Sequence, residues 1–154
     1  MTLPLAVDLA GPRGHRAADA IVGDLRLRKQ LLGAWYDVPN NTFARARERA
    51  MEDGPRPLRS ESEPWGLVDV LVGSRSEDAA LLLTANECVS YLLRSARDLL
   101  GRGEHIALVC PDNSIFWFLP EVMVLAKDSR VHSVVFDLCR FGGKRKKIAR
   151  MVTT

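Results

Sequence analysis

The residues of this chain that could do chemistry are three thiols, a few carboxylates next to turns, and two concentrations of cationic side chains. Cys88, Cys110 and Cys139 are odd in number, sit inside apolar stretches and form no Cys-x-x-Cys pair, so they suggest neither a disulfide framework nor a zinc site. His15, His105 and His132 share no ligand spacing, and no metal is expected. Cys110 stands beside Pro111 with no histidine close in sequence, and reads as a buried, inert thiol rather than a nucleophile. Asp8 and Asp137 suit turns; Asp8 is also placed to touch a ribose hydroxyl. The cations gather at Arg45, Arg47, Arg49, Arg56 and Arg59, and again at Lys144, Arg145, Lys146, Lys147 and Arg150. Such groups neutralise phosphates when they share a surface, and are otherwise a solvated face or a charged strand edge.

These residues need a scaffold, and the hydrophobic pattern supplies one. Residues 3–9 read as a short buried strand followed by the turn Gly11-Pro12-Arg13-Gly14. Residues 17–32 carry Ala18, Ile21, Val22, Leu25 and Leu32 at helical spacing, with Gly33 placed to end the helix. Residues 34–38 are strand-like, and Pro39-Asn40-Asn41 stops them; Asn40-Asn41 also suits a turn or a helix cap. A long arginine- and proline-containing connection, 42–75, leads to Ser74 and Glu77, a capping-box spacing ahead of a helix over 77–100. A strand over 105–110, a helical stretch over 115–127 broken or started by Pro120, and a hairpin of 131–136 with 148–153 complete the chain.

Strands alternating with helices build an α/β domain: a Rossmann-like, mostly parallel sheet with an antiparallel C-terminal edge hairpin. With 154 residues a single domain is expected, and 47% hydrophobic against 27% charged residues is a globular balance. The net charge of +3 permits contact with a polyanion without requiring it. No stretch has transmembrane length, and the N-terminal apolar run precedes its first positive charge, the wrong order for a secretory signal. The expected setting is intracellular, cytoplasmic or nuclear. Ligands of such sheets sit beyond the carboxyl ends of strands, which directs attention to residues 8–15, 39–47, 111–117 and 137–143.

The run Val38-Pro39-Asn40-Asn41-Thr42-Phe43-Ala44-Arg45-Ala46-Arg47-Glu48 resembles the strand-end loop of cytosine-5 DNA methyltransferases. More narrowly, the chain resembles methyltransferase-like domains of a repetitive, mobile-element-derived eukaryotic family. Gly54-Pro55-Arg56-Pro57-Leu58-Arg59-Ser60 and Pro64-Trp65-Gly66-Leu67 come next in the same order and at similar spacing. So do Ala85-Asn86-Glu87, Pro111-Asp112-Asn113-Ser114-Ile115-Phe116-Trp117 and Val134-Val135-Phe136-Asp137-Leu138-Cys139-Arg140-Phe141-Gly142-Gly143. The resemblance implies part of a class I methyltransferase fold, S-adenosylmethionine as cofactor if the domain is active, and DNA cytosine as substrate.

It also implies which residues should work, and here the chain departs. Enzymes of that family add a thiolate to the cytosine ring while a carboxyl group protonates the ring nitrogen. The thiol position is Asn40 and the glutamate position is Val109, so neither catalytic group is present. The cofactor positions would be Asp8, Gly11 and Pro39. Only one helix separates the glycine turn from Pro39, where the family has two strand–helix units, so Asp8 is better read as the acidic end of the second strand. The glycine-rich cofactor unit is then expected to be missing.

The expectation is therefore an inactive methyltransferase-like domain with no bound cofactor. Its rivals are an active S-adenosylmethionine-dependent enzyme and a nucleic-acid-binding module using Arg45, Arg47, Arg59, Lys144, Arg145, Lys146 and Lys147. A sheet without its central strand would leave an open edge, through which a homo-oligomer could form.

Overall fold

The computed structural model describes residues 9–48, 55–72, 76–141 and 147–154. The expected first strand over 3–9 falls almost wholly outside the described residues, as do Asp8, Arg49, Ser74 and the run Lys144-Arg145-Lys146.

The first described element is helix α1, Pro12–Leu27, which begins five residues before the helix expected from periodicity. Pro12 stands in its first turn, where a missing amide hydrogen costs nothing and a fixed φ favours the helix. Gly33 does not end it. The chain leaves α1 at Arg28 and Lys29, with Lys29 at a φ of 56° and Gln30 N donating back to Leu25 O at 2.9 Å. That is the left-handed exit that glycine usually provides, made here by a lysine. Gly33 instead opens strand β1, Gly33–Asp37, where a Cβ would lie 2.3 Å from His105 O on the neighbouring strand.

The described parts of the long connection, 42–48 and 55–72, pack against the rest of the domain. They contain a 3-10 turn at Arg45–Glu48 and the short helix α2, Val68–Val72. Leu58 and Val70 bury against Leu82 of helix α3, Ser76–Gly101. Gly66 makes this approach possible, since its φ is 136° and a Cβ would meet Leu82 Cδ2 at 2.4 Å. Along α3, Leu82, Ala85, Val89, Leu92, Ala96 and Leu99 recur at intervals of three and four, which turns one stripe to the core.

Strand β2, His105–Pro111, alternates strictly, burying Ile106, Leu108 and Cys110 on the face towards α3. The expected helix over 115–127 is two elements, a 3-10 turn at Ile115–Phe118 and helix α4, Pro120–Leu125. Proline again sits in the first turn, and the residue before it is held out of the helical region. Strand β3, His132–Asp137, and strand β4, Ile148–Thr153, form the expected antiparallel hairpin.

The sheet order is β1-β2-β4-β3, with β1 parallel to β2 and β4 antiparallel to both neighbours. Three strands thus run one way and β4 against them, so the fold is mixed α/β with a four-stranded, partly parallel sheet. The expected mostly parallel pairing is not present among the described strands. The crossover through α4 sets β3 one strand-width away from β2, and the returning β4 fills the gap. The hairpin is therefore at the edge only through β3, whose first four residues are exposed.

One face of the sheet meets α3 and α4 in the main core, with Phe43, Phe116, Leu108 and Val152 at its centre. The opposite face carries Trp35, which is 65% exposed. Among the described residues no helix is long and apolar enough to cross a membrane.

Candidate functional site: the crevice at the ends of β1 and β2

Because β1 and β2 are parallel neighbours, their carboxyl ends emerge on the same edge of the sheet. Val38 N continues the ladder to Val109 O at 3.0 Å, and the chain then turns through Pro39 into Asn40. The two strand-end loops are stitched together there. Ser114 Oγ donates to Asn40 Oδ1 at 2.6 Å, and Cys110 Sγ approaches the same oxygen at 3.5 Å. Ile115 N donates to Phe43 O at 3.0 Å, and the Phe43 and Phe116 rings meet edge to face at 6.0 Å. Ser114 also accepts from Phe116 N at 3.3 Å, capping the 3-10 turn that starts after it.

Between the loops lies a crevice of about 460 Å³ walled by Asn40, Arg45, Pro111, Asp112, Asn113 and Lys147. Asn40 and Pro111, from the two segments singled out by sequence, thus share one space. Val109 does not. It lies on the opposite face of β2 from Cys110, beside Asp37 and Met151 of the neighbouring strands, so the side chains facing Asn40 are those of Cys110 and Ser114. Pro39 is half-buried just before the crevice. Gly11 precedes α1 with extended backbone and open space around it, away from the crevice walls.

The polar atoms that meet at Asn40 are uncharged at neutral pH. Burial pushes the Cys110 thiol up to about 12, against the opposing effect of its hydrogen bond with Ser114. The thiol therefore keeps its proton, and a carboxamide and a buried hydroxyl complete the group.

The basic residues fare differently from one another. Arg59, expected among the phosphate contacts, is buried at 2% exposure. Its guanidinium lies 3.7 Å from the Phe43 ring centre, and bonds Thr42 Oγ1 at 3.0 Å and Pro64 O at 2.8 Å. Desolvation lowers its pKa to about 9, so it stays charged at neutral pH, but it cannot reach a ligand at the surface. It holds the loop that carries Asn40. Arg45 donates to Asn113 O at 3.0 Å and pairs with Glu61, while Arg47 donates to Asn41 O at 3.2 Å. Both tie loops together, though Arg45 also forms part of the crevice wall. Lys147 lines the crevice and is exposed. Arg150 is paired with Asp112 at 2.8 Å.

Among the described residues no group of histidine, cysteine, aspartate or glutamate could hold a metal ion. Trp65 packs against the core and donates Nε1 to Glu121 Oε2 at 3.2 Å. Sequence reasoning missed Ser114 as the partner of Asn40. The signal was the Pro111-Asp112-Asn113-Ser114 turn, whose last residue is a good cap for the helical turn beginning at Ile115.

Fold and site together define an α/β domain with a ligand-sized crevice at the ends of two parallel strands. No family model matches the sequence, and no curated protein and no solved structure is significantly similar to it.

Proposed function

We propose that the chain is a methyltransferase-like domain, Rossmann-like in its parallel half, that binds nucleic acid at the β1–β2 crevice and transfers no methyl group. The observation that carries this reading is the 2.6 Å bond from Ser114 to Asn40, because it brings together the two loops that in the resembled family hold the thiol and the acid. Cytosine methylation needs a thiolate to attack the ring and a proton donor for the ring nitrogen. Asn40 offers neither, Cys110 is a protonated buried thiol, and among the described residues no base bonds the Ser114 hydroxyl to activate it. What the crevice keeps is recognition chemistry. The carboxamides of Asn40 and Asn113 belong to the side-chain type that pairs with base edges, and Lys147 and Arg45 supply positive charge for phosphate.

The test is fluorescence anisotropy with a labelled, cytosine-containing single strand. Binding is expected to weaken steeply as salt rises from about 50 to about 200 mM, and to weaken further for Lys147→Glu. Binding indifferent to both salt and Lys147 would overturn the assignment. Incorporation of label from methyl-tritiated S-adenosylmethionine into that DNA would establish the active-enzyme alternative instead.

A further inference from the structure

Next to the crevice, and sharing Arg45, Asp112 and Asn113 with it, is a second cavity of about 570 Å³ between α4 and the β3–β4 hairpin. We infer that this cavity is a binding site for a small, flat aromatic anion. The inference stands independently of the crevice reading.

The volume falls within the range of small-molecule sites. Its shape is set by its walls. Ser133 and Val152 are paired neighbours on one sheet face, while Val122, Met123 and Ala126 face them from α4 and the turn after it. A gap between a sheet face and a helix is a slab, which a rigid ring system fills with less loss of internal freedom than a flexible chain. Trp117 and Phe118 add aromatic surface to the lining, and Met123, which is half exposed, can adapt to the ring it meets.

Charge selects the ligand further. Arg150 stands 5.4 Å from the Trp117 ring centre and is neutralised by Asp112 at 2.8 Å, and Arg45 is paired with Glu61. Lys127 also lines the cavity, and makes no ion pair among the described residues. An apolar slab with an unneutralised ammonium at its rim favours an anion on an aromatic body, and Ser133 offers a hydroxyl on the opposite wall.

8-Anilinonaphthalene-1-sulfonate has this chemistry and reports its own binding by fluorescence. Titrated into the full chain, it is expected to bind saturably at one site. Ser133→Trp, a strand-compatible change on an exposed edge, should fill the slab and abolish the signal. Lys127→Glu should weaken binding about tenfold, equivalent to about 1.4 kcal/mol. Lys147→Glu, which faces only the crevice, should leave it unchanged. Near-ultraviolet circular dichroism of each variant shows whether it keeps its packing. A signal that survives Ser133→Trp, or that disappears with Trp35→Ser on the opposite sheet face, would overturn the inference.

Discussion

Ser114 Oγ reaches Asn40 Oδ1 at 2.6 Å across 74 residues of sequence, and this bond joins the loop after β1 to the loop after β2. Ser114 is 1% exposed, so its hydroxyl has little access to water as an alternative partner. Ser114→Ala leaves Asn40 Oδ1 with only the weak Cys110 thiol contact at 3.5 Å and uncaps Phe116 N, and should cost about 1–2 kcal/mol in urea unfolding. A double-mutant cycle with Asn40→Ala should show coupling of about 1 kcal/mol. Strict additivity of the two changes would mean that the bond does not join the loops.

Arg59 belongs to the architecture of the crevice, although its residue type suggested a surface contact. Arg59→Ala leaves Thr42 Oγ1 and Pro64 O without their donor and opens space over Phe43, so a loss of roughly 3 kcal/mol is expected. Arg59→Lys should recover only part of it, because an ammonium cannot fork between two acceptors while lying flat on a ring. An unchanged denaturation midpoint for Arg59→Ala would contradict the structural role.

The state of Cys110 can be read by alkylation and by pH. At about pH 8 iodoacetamide should modify exposed Cys139 in the folded protein and reach Cys110 only after unfolding. The thiol's folded pKa is raised from 9.0 to about 12, so its contribution to stability is complete below 9.0. Above that value the unfolded chain ionises first, and stability falls as pH climbs towards about 12. Cys110→Ala should therefore lose less stability than the parent between about pH 8 and about pH 10, by on the order of 1 kcal/mol. Equal slopes would show that the thiol ionises freely in the folded state.

Helix α1 buries none of its residues; the His15 ring stacks on Tyr91 of α3 at 4.3 Å, and polar groups join α1 to α3 and the turn after it. Arg26 bonds Glu104 at 2.6 Å and Asp98 at 2.8 Å, and Tyr91 donates to Asp19 at 2.9 Å. The hydrogen bond from Arg26 holds the Glu104 carboxyl below its usual range, and bonds from Arg102 and then Arg26 do the same for Asp98. A depressed carboxyl pKa contributes stability above its unfolded value and loses it as pH falls. Amide protection factors in α1 should accordingly fall in acid, relative to those in α3, before global unfolding begins. Protection in the two helices falling together would mean that these ion pairs do not set the local stability of α1.

The elements with one strong pattern were legible in the sequence. The stripe along α3, the alternation of β2 and the hairpin of β3 with β4 all arise from periodicity. The ends of α1 were not, because its exit uses a left-handed Lys29 where glycine was expected, and Gly33 serves a close strand contact instead. Sheet order was also out of reach, since the position of β4 between β2 and β3 depends on where the α4 crossover leaves room. At the site, Asn40 and Pro111 could be named from strand-end logic. Which face of β2 looks at Asn40 needed the register: Val109, matched to the glutamate position by the resemblance, points to the opposite face, and the side chains that meet Asn40 are Cys110 and Ser114. Arg59 could not be told from a surface arginine until the packing of Phe43 over it was known.

The most direct measurement is a nuclear magnetic resonance titration of the labelled protein with a short cytosine-containing single strand, following side-chain amides. The Asn40 and Asn113 amide signals are expected to shift together and saturate, while the backbone of α1 stays unmoved. Saturating shifts confined to α1 or to the Trp35 face, with both carboxamides silent, would contradict binding at the crevice.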